Sequence, residues 1–465
     1  MIDEISEIYA ALKRQFKGDL LRPGDGAYND ARNIWNGMIS HSPRLIARCA
    51  DVNDVRSVVR VASTAKIVSA VRCGGHSLAG FGTCDGLVID LSKMRAVILH
   101  AEKRSASVAG GCLLGSIDSA TQKAGLVFPA GVVSHTGASG LILGGGTGWL
   151  TRCFGLSCDN VLAAEVVTAD GSLVRCNEKE NPDLYWALRG GGGNFGIVTK
   201  FQLKLHPLTS VVLAQALCPE TRIRRLLACW RDFMADAPLD LKWNIDLHLA
   251  PQTSKVPANL RGRPVASNSL IWTGDPDTVT AYLKPALSLC APDSEQIGIV
   301  PFLDLQTMAD SDFPHGRRYY TKSGYFTHLD DQTIDHLIEA VETIPSSATI
   351  ELAYLGGAVS HVGPDETAFG DRSAPFIMNL LANWADASDD YANISWIREL
   401  FDKLRPAMKP GVYVNFMSGD EQARVSEAYR DHWDRMVAVK SKYDPNNFFR
   451  LNQNVPPEKR PANTP

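Results

Sequence analysis

The chain has 465 residues, a net charge of −4 and 45% hydrophobic residues. That length allows two or three domains and a core that folds without a disulfide framework or a structural metal. A near-neutral balance without long charged blocks argues against nucleic acid as a main partner, and no apolar run reaches the roughly 20 residues that cross a bilayer. The first residues, "MIDEISEIYAALKRQF", mix acidic and basic side chains with no apolar signal core, so a cytoplasmic protein is expected. The ten cysteines are scattered, none in a CxxC pair. Cys153 and Cys158 lack companion ligands, so no metal centre is expected and small core residues are the simplest reading.

Residues 51–67, "DVNDVRSVVRVASTAKI", read as a helix capped by Asp51, with Asp54 at its positive end. "VSAVRC" is a short strand that runs into the glycine loop "CGGHS". "AAEVVTADGSLVRC", 163–176, is a hairpin turning at Asp170-Gly171, where positive φ is tolerated. "ENPDLYWALRG" is a helix with Asn181 as its cap, Pro182 in its first turn and Gly190 at its end. "GIVTKFQLKLHP" is a strand with Phe201, Leu203 and Leu205 on one face and Gln202, Lys204 and His206 on the other.

After Pro207 the glycine loops stop. "LDLKWNIDLHLA", 239–250, alternates: Leu241, Trp243, Ile245, Leu247 and Leu249 form an apolar face, while Lys242, Asn244, Asp246 and His248 form a polar one. Such a strand packs on one side and meets water or a pocket on the other. "TIELAYLGG", 349–357, is a further strand, and the proline-rich tail "NVPPEKRPANTP" is expected to fray.

Four glycine segments crowd the first half: "CGGHS", "GGCLLG", "PAGVVSHTGASGLILGGGTGWL" and "RGGGGNFG". Glycine lets backbone approach a neighbour closely, be it another strand, a metal or a cofactor, and consecutive N–H groups can cradle a phosphate. "GGGTG" lacks the strand-GxGxxG-helix context of a Rossmann nucleotide site. The segments "RCGGHSLAGFGTCDGLVIDLSKM", "PAGVVSHTGASGLILGGGTGWLTRCFGLSCDNVLAAEVVTADG" and "ENPDLYWALRGGGGNFGIVTKF" resemble, in order, the flavin-binding segments of the vanillyl-alcohol-oxidase family. "KYDPNNFFRLNQNVPP" is similar to the ending of its berberine-bridge-enzyme-like branch, with bacterial members nearest in character.

The resemblance implies an α+β fold: a PCMH-type FAD-binding domain of two α+β subdomains, plus a substrate domain whose large antiparallel sheet is flanked by helices. It implies residues 1–207 as the first part of the FAD-binding domain, 208–411 as the substrate domain, and 412–465 as a return to the FAD side. It further implies FAD joined covalently through His76 by an 8α-histidyl bond. From "RCGGHSL" it assigns Cys73, Gly74, Gly75, His76, Ser77 and Leu78 to the cofactor. From "VSHTGASGLILGGGTG" it assigns Val133, Ser134, Thr136, Gly137, Gly140, Gly144, Gly145 and Gly148. Val198, Tyr413, Asn415 and Asn452 complete the set. Cys73 stands where relatives have glycine. Val133 stands where some relatives carry a second flavin-linking cysteine, so attachment is expected at one residue only.

The implied chemistry is hydride transfer from a small organic alcohol, amine or polyketide-like compound to flavin N5, then reoxidation by O2 to H2O2. An oxygen-insensitive dehydrogenase, or a flavoprotein that binds a metabolite without turnover, are the alternatives. Hydride loss is easier when a base takes the neighbouring O–H or N–H proton. Glu351 is the first candidate, because a bacterial member of the branch carries an active-site glutamate in a similar strand. Asp246, His135 and Tyr413 follow. His361, in "GGAVSHVG", departs from the plant pattern, so plant catalytic residues do not carry over. Ala138 is expected beside the flavin, where its small side chain leaves oxygen a path, with Val133, Thr136 and Leu141 lining the same space.

Overall fold

A computed structural model of the chain describes residues 4–290 and 292–459. The first helix read from sequence runs Val52–Thr64, and the Asp51 side chain accepts from the N–H groups of Asn53 and Asp54. Val55, Val58, Val59 and Ala62 recur at helical spacing, and all four are buried. They pack against Leu45, Leu87 and Ile89. These belong to a four-stranded sheet of Asp19–Leu21 (β1), Leu45–Arg48 (β2), Ser69–Arg72 (β3) and Leu87–Asp90 (β4), in the order β1-β2-β4-β3. β4 runs parallel to both β2 and β3, so β3 delivers the chain to the glycine loop at the edge of a buried sheet.

Next come Val97–His100 (β5), Ser105–Ala109 (β6), Leu126–Val127 (β7), Val161–Val167 (β8), Leu173–Cys176 (β9), Ile197–Lys204 (β10) and His206–Pro207 (β11). The order β5-β6-β10-β8-β9 forms a five-stranded antiparallel sheet, and β11 pairs with β7. The 163–176 hairpin forms with a longer loop than a two-residue turn. Thr168 and Ser172 are bonded across it, and Gly171 takes φ +79°. The 196–207 strand breaks at Leu205, where β11 leaves to pair with β7.

Asn181 does not cap the helix Pro182–Leu188 as expected. It sits at φ 47° and makes no side-chain cap bond. Its amide donates to the Arg175 carbonyl instead, so the side chain closes the β9 connection.

The second half builds a seven-stranded antiparallel sheet from Ser210–Pro219 (β12), Leu241–Leu249 (β13), Pro264–Trp272 (β14), Ser294–Pro301 (β15), Arg318–Phe326 (β16), Ala348–Tyr354 (β17) and Phe376–Trp384 (β18). Its order is β15-β12-β14-β13-β17-β18-β16. One face carries Trp243, Ile245, Leu247, Leu270, Ile350 and Leu380 into the largest core cluster. The helices Glu220–Ala235, Asp331–Glu342 and Asp390–Leu404 cover that face with Trp230, Leu337 and Phe401. The expected alternation of residues 241–249 therefore holds, with the polar side turned away from the helices.

The C-terminal segment returns to the first half through the helix Trp433–Tyr443, whose Met436 and Val439 join the core around Trp186 and Phe195. The fully buried Lys440 donates to Asp444 Oδ2 at 2.6 Å, to the Asn194 carbonyl at 2.8 Å and to the Phe449 carbonyl at 2.9 Å. Asp444 in turn accepts from the N–H groups of Phe448 and Phe449. The tail does not fray at its start: Val455 is buried and its N–H donates to Asn194. Residues 460–465 of the tail lie outside the described residues.

Candidate active site

The glycine loops, the polar face of the large sheet and the tail enclose one cavity of about 1320 Å³. Its loop wall contains Cys73, Gly74, Gly75, His76, Ser77 and Leu78 from the loop after β3. Val133, Thr136, Gly137, Gly140 and Gly148 come from the second loop, Val198 from β10, and Tyr413, Asn415 and Asn452 from the C-terminal return.

Three of the expected cofactor residues stand behind that wall. Ser134 is held by Asp310, which accepts from its N–H at 2.7 Å and its hydroxyl at 2.5 Å. A side chain at Gly144 would collide with the Asn415 amide, and one at Gly145 with the Phe369 ring. These two glycines thus serve packing between segments. Gly74 and Gly137 have the same cause: a Cβ on either would run into the backbone of the other. Two loops touch there backbone to backbone, which only glycine permits. Gly140 differs, because a Cβ on it would meet no protein atom within 4 Å and would enter the cavity.

The His76 ring lies between Trp35, stacked on it at 4.1 Å, and His135, whose Nδ1 is 3.2 Å from His76 Nε2. Trp35 stacks in turn on Tyr319 at 3.6 Å, and His315 lies 4.9 Å from the His135 ring. Burial, then the neighbouring His135 and His315, drives the His76 imidazole down to about 3. The ring is therefore neutral at physiological pH, with Nε2 facing His135.

His135 is turned toward His76 and does not line the cavity, so a role as substrate base, expected as one option, is not supported. Tyr413 lines the cavity with its hydroxyl oxygen already engaged. Its hydroxyl oxygen accepts from the N–H groups of Gly146 at 2.9 Å and Thr147 at 3.3 Å, and from the Asn415 amide at 2.9 Å. It pins the "GGGTG" loop, and burial raises its pKa. Ala138 does not line the cavity either. It is buried among Val108, Cys112 and Ile142, which contradicts its expected place on an oxygen path.

The sheet wall is polar in one continuous row. Ser267, Asp246, Glu351 and Asn379 lie opposite one another on β14, β13, β17 and β18. Directly paired residues on one face have Cβ atoms about 5 Å apart, so the Asp246 and Glu351 carboxyls are neighbours. Burial first, then Glu351 and Asp312, pushes Asp246 up to about 8. Burial also raises Glu351, but the Asn379 amide, donating to Glu351 Oε2 at 2.7 Å, favours its ionised form. Both carboxyls are thus pushed toward the protonated form, and Asn379 counters this at Glu351 alone.

His248 faces the cavity with both ring nitrogens occupied: Nδ1 by the Leu249 carbonyl at 2.9 Å and Nε2 by the Ser267 hydroxyl at 2.6 Å. Cys73 is half-buried in the loop wall, and desolvation raises its thiol to about 11, so it stays protonated at neutral pH. Cys153 lies near Asp240 and away from the cavity lining.

Sequence reasoning missed Trp35, His315, Asp312 and Asn379. Asn379 had a signal, as the polar residue inside "FIMNLLANW". Trp35 and His315 sit on loops and Asp312 ends a single 3-10 turn, with no periodicity to mark them. Among the described residues, no group of three His, Cys, Asp or Glu is arranged to hold a metal, and no helix is long and apolar enough to cross a membrane.

The wall fits a large, polar, planar cofactor. It offers open glycine backbone at Gly140, a neutral imidazole at His76 and a buried Asn452 Oδ1 without a hydrogen-bond partner. Comparison with known proteins agrees. Residues 43–177 match the FAD binding domain family, and residues 412–456 match the berberine and berberine-like family. An FAD-linked oxidoreductase of Dictyostelium discoideum is 30% identical, over 95% of each chain. The (R)-6-hydroxynicotine oxidase of Paenarthrobacter nicotinovorans is 29% identical, over 95% of this chain and 97% of its own. The crystal structure of 6-hydroxy-D-nicotine oxidase from Arthrobacter nicotinovorans superposes with a TM-score of 0.84 at 26% identity, covering 96% of this chain and 99% of that one.

Proposed function

Because the chain belongs to the FAD-linked oxidoreductases with a berberine-like C-terminal segment, we propose that it oxidises a small organic alcohol or amine on a flavin held covalently by His76. The enzyme is an FAD-dependent oxidoreductase. The flavin, when bound, supplies the two-electron acceptor. His76 Nδ1 is the atom assigned to the covalent bond, since Nε2 faces His135. Val133, at the site of a possible second link, offers no nucleophile, and Cys153 lies elsewhere.

The observation that carries the reading is the buried Asp246–Glu351 pair on the sheet wall of the cavity. Glu351, ionised and oriented by Asn379, takes the proton from the substrate O–H or N–H. Asp246, neutral, donates a hydrogen bond to the substrate heteroatom. The sheet covers the reacting carbon and excludes water. This reading assigns residues 1–207 and 412–465 to the cofactor side and 208–411 to the substrate side. It takes O2 as the final acceptor, with H2O2 as product, in keeping with relatives named as oxidases.

The test is anaerobic mixing of the holoenzyme with a panel of small alcohols, amines and phenols, followed by air. Bleaching of the flavin by a panel member, then recovery in air with one H2O2 per turnover, supports an oxidase. Bleaching that persists in air makes it a dehydrogenase.

A further inference from the structure

Lys242 shares the polar face of β13 with Asp246, four residues away, which is roughly 13 Å along a strand. It lines the cavity and is 5% exposed, yet among the described residues it forms no hydrogen bond and no ion pair. Among the described residues the charge acting on it is that of Arg152, a like charge. The Arg152 guanidinium is spent on the carbonyls of Leu241, Ala237 and Pro238 and on the face of Tyr354, so no carboxylate neutralises it either.

A second unpaired donor lies in the same corner. Trp149 is 8% exposed, lines the cavity, and its indole N–H has no partner. Trp149 packs with Leu213 and Ile271, and Ile271 is the direct cross-strand partner of Lys242. A buried N–H left without an acceptor costs stability unless a ligand supplies one, and the Lys242 ammonium, opening on the cavity, takes none from the described residues. Burial lowers the Lys242 ammonium to about 8, so it is still charged at neutral pH.

We propose that Lys242 and the Trp149 indole N–H receive a carboxylate on the substrate, making the preferred substrate a hydroxy or amino acid whose oxidised carbon is separated from its carboxylate by a spacer. This rests on the reading above, in which Asp246 and Glu351 mark the reacting end. The spacer follows from the separation of the two ends along β13. A substrate carrying its carboxylate on the reacting carbon itself could not reach both.

The test uses the flavin-loaded enzyme and non-reacting probes: phenylalkanoates of three to six chain carbons, each beside its neutral primary amide. Calorimetry gives the affinities. The wild type is expected to prefer at least one carboxylate over its amide by about tenfold or more, the scale of one charge-assisted hydrogen bond. Lys242→Met should abolish that preference, Lys242→Arg should retain most of it, and Trp149→Phe should weaken it. Because the ammonium must be protonated, carboxylate affinity is expected to fall as pH rises through about 8, and this fall should vanish in Lys242→Met.

No carboxylate preference across the series overturns the inference. So does a Lys242→Met enzyme whose ligand-free flavin spectrum shifts while the preference survives, since Lys242 then addresses the flavin. Binding is read without turnover. An enzyme that oxidises none of the panel can still satisfy this test, and one that oxidises neutral alcohols through Glu351 can still fail it.

Discussion

At Glu351 two neighbours pull on one proton in opposite senses. Asp246, across the strand pair, makes a second negative charge costly, while Asn379 donates to Glu351 and favours its ionised form. Removing the base should cost flavin reduction about 100- to 10,000-fold. Stopped-flow reduction of Glu351→Gln with any substrate that bleaches the wild type checks this; an unaltered rate across pH would remove Glu351 from the mechanism. The Glu351 carboxylate works only above its raised pKa, so the rate should climb with pH through that value. A neutral Asp246 adds no charge, so Asp246→Asn should leave that limb where it is and mainly change substrate affinity, read from pH profiles of the reduction rate. Asp118 has the same physics without the function. It is buried, Oδ2 has no partner, and burial holds its carboxyl well above the ordinary range. The folded state therefore keeps a proton that the unfolded chain releases near pH ~4. Its stability is full below that pH and declines as pH rises toward the folded value. Asp118→Asn should gain on the wild type between pH 5 and pH 8, as urea midpoints would record. A constant difference between the two proteins would rule the mechanism out.

Among elements, the C-terminal return depends on one buried ion pair. Lys440 and Asp444, both fully buried, tie the last helix to Asn194 and to the turn that sends Asn452 into the cavity wall. Breaking such a pair leaves an uncompensated charge and typically costs about 3–5 kcal/mol. Lys440→Met should lower stability by that order and expose the tail to limited proteolysis, with cleavage after residue 440 as the signature. Retained stability would mean that the tail is held by Val455 and its neighbours instead. The contact of Gly74 with Gly137 is a second element-scale dependence. Gly137→Ala should separate the two loops and reduce flavin attachment while the far-ultraviolet dichroism stays that of a folded chain. Ala138, the next residue, behaves as core. Ala138→Leu should destabilise by about 1–3 kcal/mol through overpacking, and it should leave the reoxidation rate of the flavin unaltered.

Over the whole molecule, the cavity walls come from residues as distant as Trp35 and Gln453, so the cofactor site exists only when both ends of the chain have met. A flavin fixed there should hold the two parts together. Acid-denatured wild type should keep its flavin on the peptide containing His76, and His76→Ala should lose it. The emptied variant should also melt below the flavin-loaded enzyme; a tag found on Cys153 would refute attachment at His76 alone. Much of this was legible without coordinates. The alternation over residues 241–249 assigns Lys242 and Asp246 to one face, because a strand repeats every two residues. The ordered glycine segments pointed to a flavin through their resemblance to flavin-binding segments, not through glycine content alone. Asp51 and the hairpin at Gly171 are local matters of capping and φ, which neighbouring residues decide. The rest depended on distance in sequence. Whether Gly74 serves a cofactor or another loop is settled by where Gly137 lies, 63 positions away. Which strand stands beside β13 decides that Asp246 meets Glu351, and which stands beside β17 decides that Glu351 meets Asn379. A carboxyl's proton affinity is set by burial and by charges a few ångströms off. Those neighbours arrive from other strands through packing, and no local pattern in the chain records them.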